Sequence, residues 1–297
     1  MISIYIKGLL IGIASIIPGV SGGTLALMLG IYYNIINSSA NLIKLKKVKE
    51  NTFFLGILSL GILTSTTILA KIFKSYILDG AIRETYLNVF FTGLITGSIF
   101  TLKKEIDTKT KINKHKESTK HLLFSIGLLT TLFLLILQTY DISLNISAYQ
   151  DKNSIKYYLL IISSGIIGGS AMILPGISGS LILLSLGTYK EIINIISQLN
   201  IKLCITLGIS TIIGTGITIL IIKQTIDKHI VKFLYLSTGL IMGSIINMLF
   251  AITKLNVQHN LITYLSLSSL FITGIYINKL LMDKSSNLKI LNTENRT

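Results

Sequence analysis

Charge is scarce in this sequence. Only 13% of the 297 residues are Asp, Glu, Lys or Arg, against about 25% in soluble domains, which argues strongly against a water-soluble enzyme. A single cysteine, Cys204, excludes a disulfide framework and any Cys-cluster metal site. There is no tryptophan, and the only two prolines are Pro18 and Pro175. Acidic residues number 12 against 27 basic ones, giving a net charge of +15. What the chain does have is apolar bulk, with 51% hydrophobic residues and a mean hydropathy of +0.72. That bulk excludes intrinsic disorder. Apolar mass with basic loops reads as an integral membrane protein, nucleic-acid binding being the other usual meaning of so basic a chain.

The position of the charges decides between the two. Charge-free runs fall at 8–43, 52–70, 85–102, 122–140, 157–189, 203–222, 233–253 and 260–278. Six of them are 18–21 residues long, the length that crosses a bilayer core of about 30 Å as one helix. The runs at 8–43 and 157–189 are too long for a single simple crossing. The N-terminus lacks the small-residue cleavage pattern of a signal peptide. The charged stretch 103–120 has no interleaved aromatics and lies between apolar runs, so it reads as a solvated loop and no nucleic-acid partner is expected. The polar tail 283–297 is expected to fray.

Comparing the chain with itself finds a repeat. Residues 8–37 align with 165–194 without gaps, and fifteen of thirty positions are identical. Both prolines fall at the same place in a Pro-Gly-x-Ser-Gly motif, and Gly30/Gly187 and Tyr32/Tyr189 also coincide. A second echo pairs TGLITGSI at 92–99 with TGLIMGSI at 238–245. The chain therefore reads as a tandem duplication, 1–145 and 150–297, within one integrated membrane domain.

Proline removes a backbone donor and clashes with the preceding turn, so each long run is expected to break, at 18–23 and at 175–180. If both runs return to the side they entered, 19 of the 27 basic residues share one face. If each run crosses once, the split is 14 against 13. The positive-inside rule favours the return, with both termini cytoplasmic. Re-entrant hairpins and two full crossings have the same parity; Gly-rich breaks favour re-entrance. The expected fold is an all-α, inverted-topology repeat, each half a broken re-entrant hairpin plus three transmembrane helices.

Inverted repeats with discontinuous helices are a transporter architecture. The first N–H groups of a helix restarting after each break have no intrahelical partners and favour anions. Pro18, Gly19, Ser21, Gly22, Gly23 and Thr24, with Pro175, Gly176, Ser178, Gly179 and Ser180, are the candidate substrate-binding residues. The competing reading is that small residues there serve only close helix packing; the same holds for GLxxGS at 93–98 and 239–244. Tyr32 and Tyr189 read as interfacial anchors. No acidic residue lies in any charge-free run, which argues against an obvious proton relay. Lys7, Lys71, Arg83 and Lys190 stand near run ends; Arg83, beside Glu84, is the only arginine outside the tail and suits phosphate, although a plain surface ion pair is the competing reading. No catalytic motif, cofactor site or metal site is visible, so no enzyme and no cofactor are expected.

KGLLIGIASIIPGVSGGTLALMLGIYYNII and GGSAMILPGISGSLILLSLGTYKEII resemble the two signature segments of the DUF368 membrane proteins of bacteria and archaea. The likeness extends nearly end to end and includes FFTGLITGSI at 90–99. The family is regarded as polyprenyl-phosphate translocases, so the resemblance implies return of undecaprenyl phosphate across the plasma membrane for cell-envelope synthesis. A phosphate head would bind at the paired breaks and the lipid tail would stay in the bilayer. An anion or small-solute transporter using the same helix ends is the alternative. Many relatives carry an acidic residue after the first-half tyrosine; here Tyr33 and Asn34 stand there, while the second half keeps Glu191. Oligomeric state and driving force are not legible.

Overall fold

The computed structural model describes all residues except 17–19, 73–80, 113–116, 140–153, 199, 255–259 and 295–297. The described residues form eleven α-helices: α1 (Ile2–Ile16), α2 (Gly22–Met28), α3 (Tyr32–Ile43), α4 (Val48–Ile72), α5 (Ala81–Ile112), α6 (Glu117–Thr139), α7 (Ile155–Ile173), α8 (Gly179–Ser185), α9 (Tyr189–Ser197), α10 (Ile201–Lys254) and α11 (Leu261–Glu294).

Six of these are long and apolar enough to cross a membrane: α4, α5, α6, α7, α10 and α11. The 54 residues of α10 would measure roughly 80 Å as one rod at about 1.5 Å per residue, far beyond any bilayer. Non-helical backbone at His229 (φ −142°, ψ 49°) bends it into two arms. Each arm carries one of the charge-free runs, 203–222 and 233–253. Many large apolar side chains face outward, among them Leu60, Leu129, Phe133, Ile212, Leu265 and Ile272. Such a surface is stable where the surrounding solvent is lipid. The protein is an all-helical, multi-pass membrane protein.

Helix continues further into polar sequence than the charge pattern suggests. The segment 103–120, expected as a loop, is helical over 103–112 and 117–120. The tail expected to fray continues α11 through Glu294. Lysine, glutamate and isoleucine are all compatible with a helix already nucleated by the apolar segment beside them.

Each long run is divided twice, where the sequence suggested one break. The first division is the Pro-Gly-x-Ser-Gly motif. The second follows α2 and α8, at Gly30 (φ 66°) and Gly187 (φ 73°). The Ile31 amide donates to the Ala26 carbonyl and the Gly30 amide to Leu27. Thr188 and Gly187 repeat the pattern on Leu183 and Leu184. These are Schellman ends, in which glycine takes the left-handed conformation that closes a helix. The result is two short helices, α2 and α8, of 7 residues each. α8 and α9 meet at a bend of 114°, so the pair is a broken span or a re-entrant turn.

Helix pairing follows the small residues. α1 packs along α4 and α7 along α10, with Gly8 and Gly12 against Leu58 and Ile62, and Gly165 and Gly169 against Leu207 and Thr211. α5 packs along α11 and α6 along the second arm of α10. Gly93 lies against Phe271, and Gly239 against Phe124. A Cβ at any of these glycines would collide with the facing helix, with its backbone in every case but Gly165, where the Ser210 Cβ is nearest. GLxxGS at both places is thus a close-packing face.

Candidate functional site

Each Pro-Gly-x-Ser-Gly motif leads into a short helix whose N-cap is serine. Ser21 (φ −92°, ψ 126°) and Ser178 (φ −91°, ψ 130°) have nearly the same extended backbone. Neither side chain caps its own helix. The hydroxyls are therefore directed to other partners, and the first amides of α2 and α8 have no intrahelical acceptor.

The two motifs meet. Leu174 is extended (φ −72°, ψ 127°), as the residue before a proline must be. This releases the last carbonyls of α7, and the first half of the chain takes them up. The Ser21 hydroxyl donates to the Leu174 carbonyl at 3.2 Å, and the Tyr32 hydroxyl donates to Ile173 at 3.0 Å. The Gly176 amide donates to Thr24 Oγ1 at 2.7 Å. Thr24 and Tyr32 are each only 2% exposed. Tyr32, expected as an interfacial anchor, is instead a buried cap, stacked on Phe233 at 5.7 Å between centroids. Lys7 donates to the carbonyl of Leu29 at 2.8 Å, supplying a donor at the C-terminal end of α2, where the last carbonyls have no intrahelical partner.

Beside this contact is a cleft of about 370 Å³ lined by both motifs. Ser21, Gly22 and Gly23 line one wall, and Ser178, Gly179 and Ser180 another. The Ser178 and Ser180 hydroxyls share a hydrogen bond of 2.8 Å. Ser15 and Ser59 add polar groups that the motif did not reveal, and Ile11, Leu58 and Ile62 supply apolar surface. None of the described residues lining it is charged. Hydroxyls and backbone amides of this kind suit an oxyanion attached to an apolar body.

Of the candidates read from the sequence, six therefore line one cleft. Thr24 and Gly176 hold the two motifs together through their hydrogen bond, and Pro175 is buried in the chain beside Gly176; none of the three is among the cleft residues. Pro18 and Gly19 lie outside the described residues. Arg83 is exposed on the first turn of α5 and is not among the cleft residues. Lys71 has no described side chain, and Lys190 is exposed.

A second, smaller cleft of about 130 Å³ lies at the start of α5, the end of α6 and the end of α10. Glu84, Asn88, Gln138, Asn247 and Lys254 line it, and so does Ser180. This group came from three helices without a motif. Its one readable signal was three carboxamides, Asn88, Gln138 and Asn247, inside charge-free runs.

A family model described as undecaprenyl phosphate translocase-like (VCA0040-like) matches residues 11–263, which takes in both motifs and both clefts. The chain belongs to this translocase-like family. A relative named polyprenyl-phosphate transporter, from Vibrio cholerae, is 29% identical over 256 residues, covering 82% of this chain and 76% of the relative. Another of that name, from Staphylococcus aureus, is 28% identical over 255 residues, covering 81% and 83%. No solved structure matches the chain. The translocase-like family is one of transporters, and its curated members here are named for a polyprenyl-phosphate lipid.

Proposed function

We propose that this protein carries undecaprenyl phosphate, or a close polyprenyl phosphate, across the plasma membrane toward the cytoplasmic face, where the carrier is reused in envelope synthesis. The supporting observation is that the two copies of Pro-Gly-x-Ser-Gly wall a single cleft. The phosphate head takes the hydroxyls of Ser178 and Ser180 and the first amides of α2 and α8, while Ser21 holds the first wall in place through the Leu174 carbonyl. Glycines 22, 23 and 179 let it approach the backbone. Thr24 fixes the two motifs against each other through the Gly176 amide; Pro18, Gly19 and Pro175 belong to the same motifs. The polyprenyl tail stays in lipid. Helices of 7 residues have little macrodipole, so binding rests on the individual donors. Arg83 meets the phosphate at the membrane surface before it enters.

In this reading the halves 1–145 and 150–297 are inverted copies in one domain, with both termini cytoplasmic. The charge split of 19 of 27 basic residues on one face supports that orientation. The reciprocal packing of α5 on α11 and α6 on α10 fits a repeat about a pseudo-two-fold axis.

Purified protein in proteoliposomes should move polyprenyl phosphate between leaflets, and the movement should fall in Ser178→Ala. Flux of small anions without lipid-phosphate movement would replace this reading with an anion transporter. Release of inorganic phosphate from the lipid would point instead to an enzyme.

A further inference from the structure

The second cleft has a chemistry opposite to the first. Glu84 and Asn88 stand four residues apart on α5 and so share a face. Asn247 of α10 and Gln138 of α6 complete the wall, and Ser180 joins it to the phosphate cleft. Asn88 is only 5% exposed, and its Oδ1 has no hydrogen-bond partner. A buried acceptor left without a partner costs free energy. Such an oxygen is stable where a positive charge or a donor reaches it.

The other groups narrow the choice. The lining offers oxygens from a carboxylate, three carboxamides and a hydroxyl, the hard donors that alkali and alkaline-earth cations take. A single carboxylate is too few for calcium, whose sites draw on several. Phosphate is disfavoured, because Glu84 and the open Asn88 acceptor both repel it. Lys254 also lines the cleft, its ammonium over the Phe250 ring at 4.8 Å from the centroid, so a bound cation has to be favoured by the oxygens against this like charge.

We infer that this cleft binds a monovalent alkali cation, sodium, with Glu84 and Asn88 as its principal ligands. Ser180 belongs to both clefts, so a cation in one acts on a wall of the other. The coupling part of this inference rests on the proposed lipid-phosphate transport; the site itself does not.

The test is direct binding of radioactive sodium to the purified full-length protein, in choline chloride at constant ionic strength. Saturable binding is expected, weakened at least tenfold in Asn88→Leu and in Glu84→Gln. Asn88→Asp, which keeps an oxygen ligand, should retain it, separating lost ligation from lost folding. Absence of saturable binding in folded wild-type protein overturns the site, and so does binding that both weakening variants leave unchanged. Lipid-phosphate transport measured in the same preparation separates the two readings. Sodium binding without that transport supports the site and removes the transport reading. Transport indifferent to sodium, with no binding, removes only the site.

Discussion

The two copies of Pro-Gly-x-Ser-Gly have the same sequence and different work. Ser21, in the first copy, is 4% exposed and its hydroxyl is spent on the Leu174 carbonyl. Ser178, at the same place in the second copy, is half-buried, and among the described residues its hydroxyl bonds to its neighbour Ser180, at the cleft. Thr24 accepts the Gly176 amide, whereas its repeat counterpart is apolar Leu181. Among the described residues, then, the first copy supplies the caps and the second receives them. A duplicated motif preserves backbone shape, as the near-identical angles at Ser21 and Ser178 show. It does not preserve roles, because a side chain's partner belongs to the other copy.

The largest way to break this comparison is Gly176→Val. Gly176 has φ +83°, and a Cβ there would lie 2.5 Å from the Leu240 carbonyl carbon. Left-handed backbone and overpacking together should cost about 3 kcal/mol or more, read as lost thermal stability in detergent. Gly22→Ala should be mild by contrast, since its Cβ meets the movable Ser15 hydroxyl at 2.9 Å. Gly176 therefore guards the packing between the breaks, and valine there is a poor probe of anion approach.

Next is Thr24→Val, which strands the Gly176 amide. A loss of about 1–3 kcal/mol is expected, with Thr24→Ser recovering most of it in the same unfolding measurement. Full stability in the valine variant would mean that the Thr24 bond does not hold the breaks together.

The serines should then divide. Ser21→Ala should lower stability by about 0.5–1.5 kcal/mol. Ser178→Ala should leave the melting temperature unchanged and reduce lipid-phosphate transport several-fold. Equal effects on both measurements would restore equal roles to the two copies. The smallest expected effect is that of Arg83→Gln: a few-fold rise in KM for the lipid, with kcat and melting temperature unchanged. A fall in kcat instead would bring Arg83 into the transport step itself.

Much of the chain was legible because membrane crossing is a one-dimensional constraint. Six apolar runs of crossing length each fall almost entirely within a long helix over their described residues, two of them as the arms of α10. The glycines of GLxxGS announced close packing, and close packing is found there. The breaks were marked by the only two prolines. The second division at Gly30 and Gly187 was present in the same alignment as a Leu-Gly-x-Tyr match, and was passed over because a glycine near the end of an apolar run has no unique meaning until its φ is known.

Of the second cleft, only the carboxamides inside apolar runs were legible. Glu84, Gln138 and Asn247 are separated by more than fifty residues each, and no spacing rule links them. Nor does any sequence feature tell that Tyr32 would turn inward to cap α7 rather than sit at the lipid interface. Hydropathy and proline are properties of a segment and its solvent, so the sequence alone determined that this is a membrane protein with two broken runs. Caps, clefts and the pairing of the breaks are contacts between segments some 150 residues apart, and a buried polar group's energy depends on which partner reaches it. Those were decided only when the helices packed.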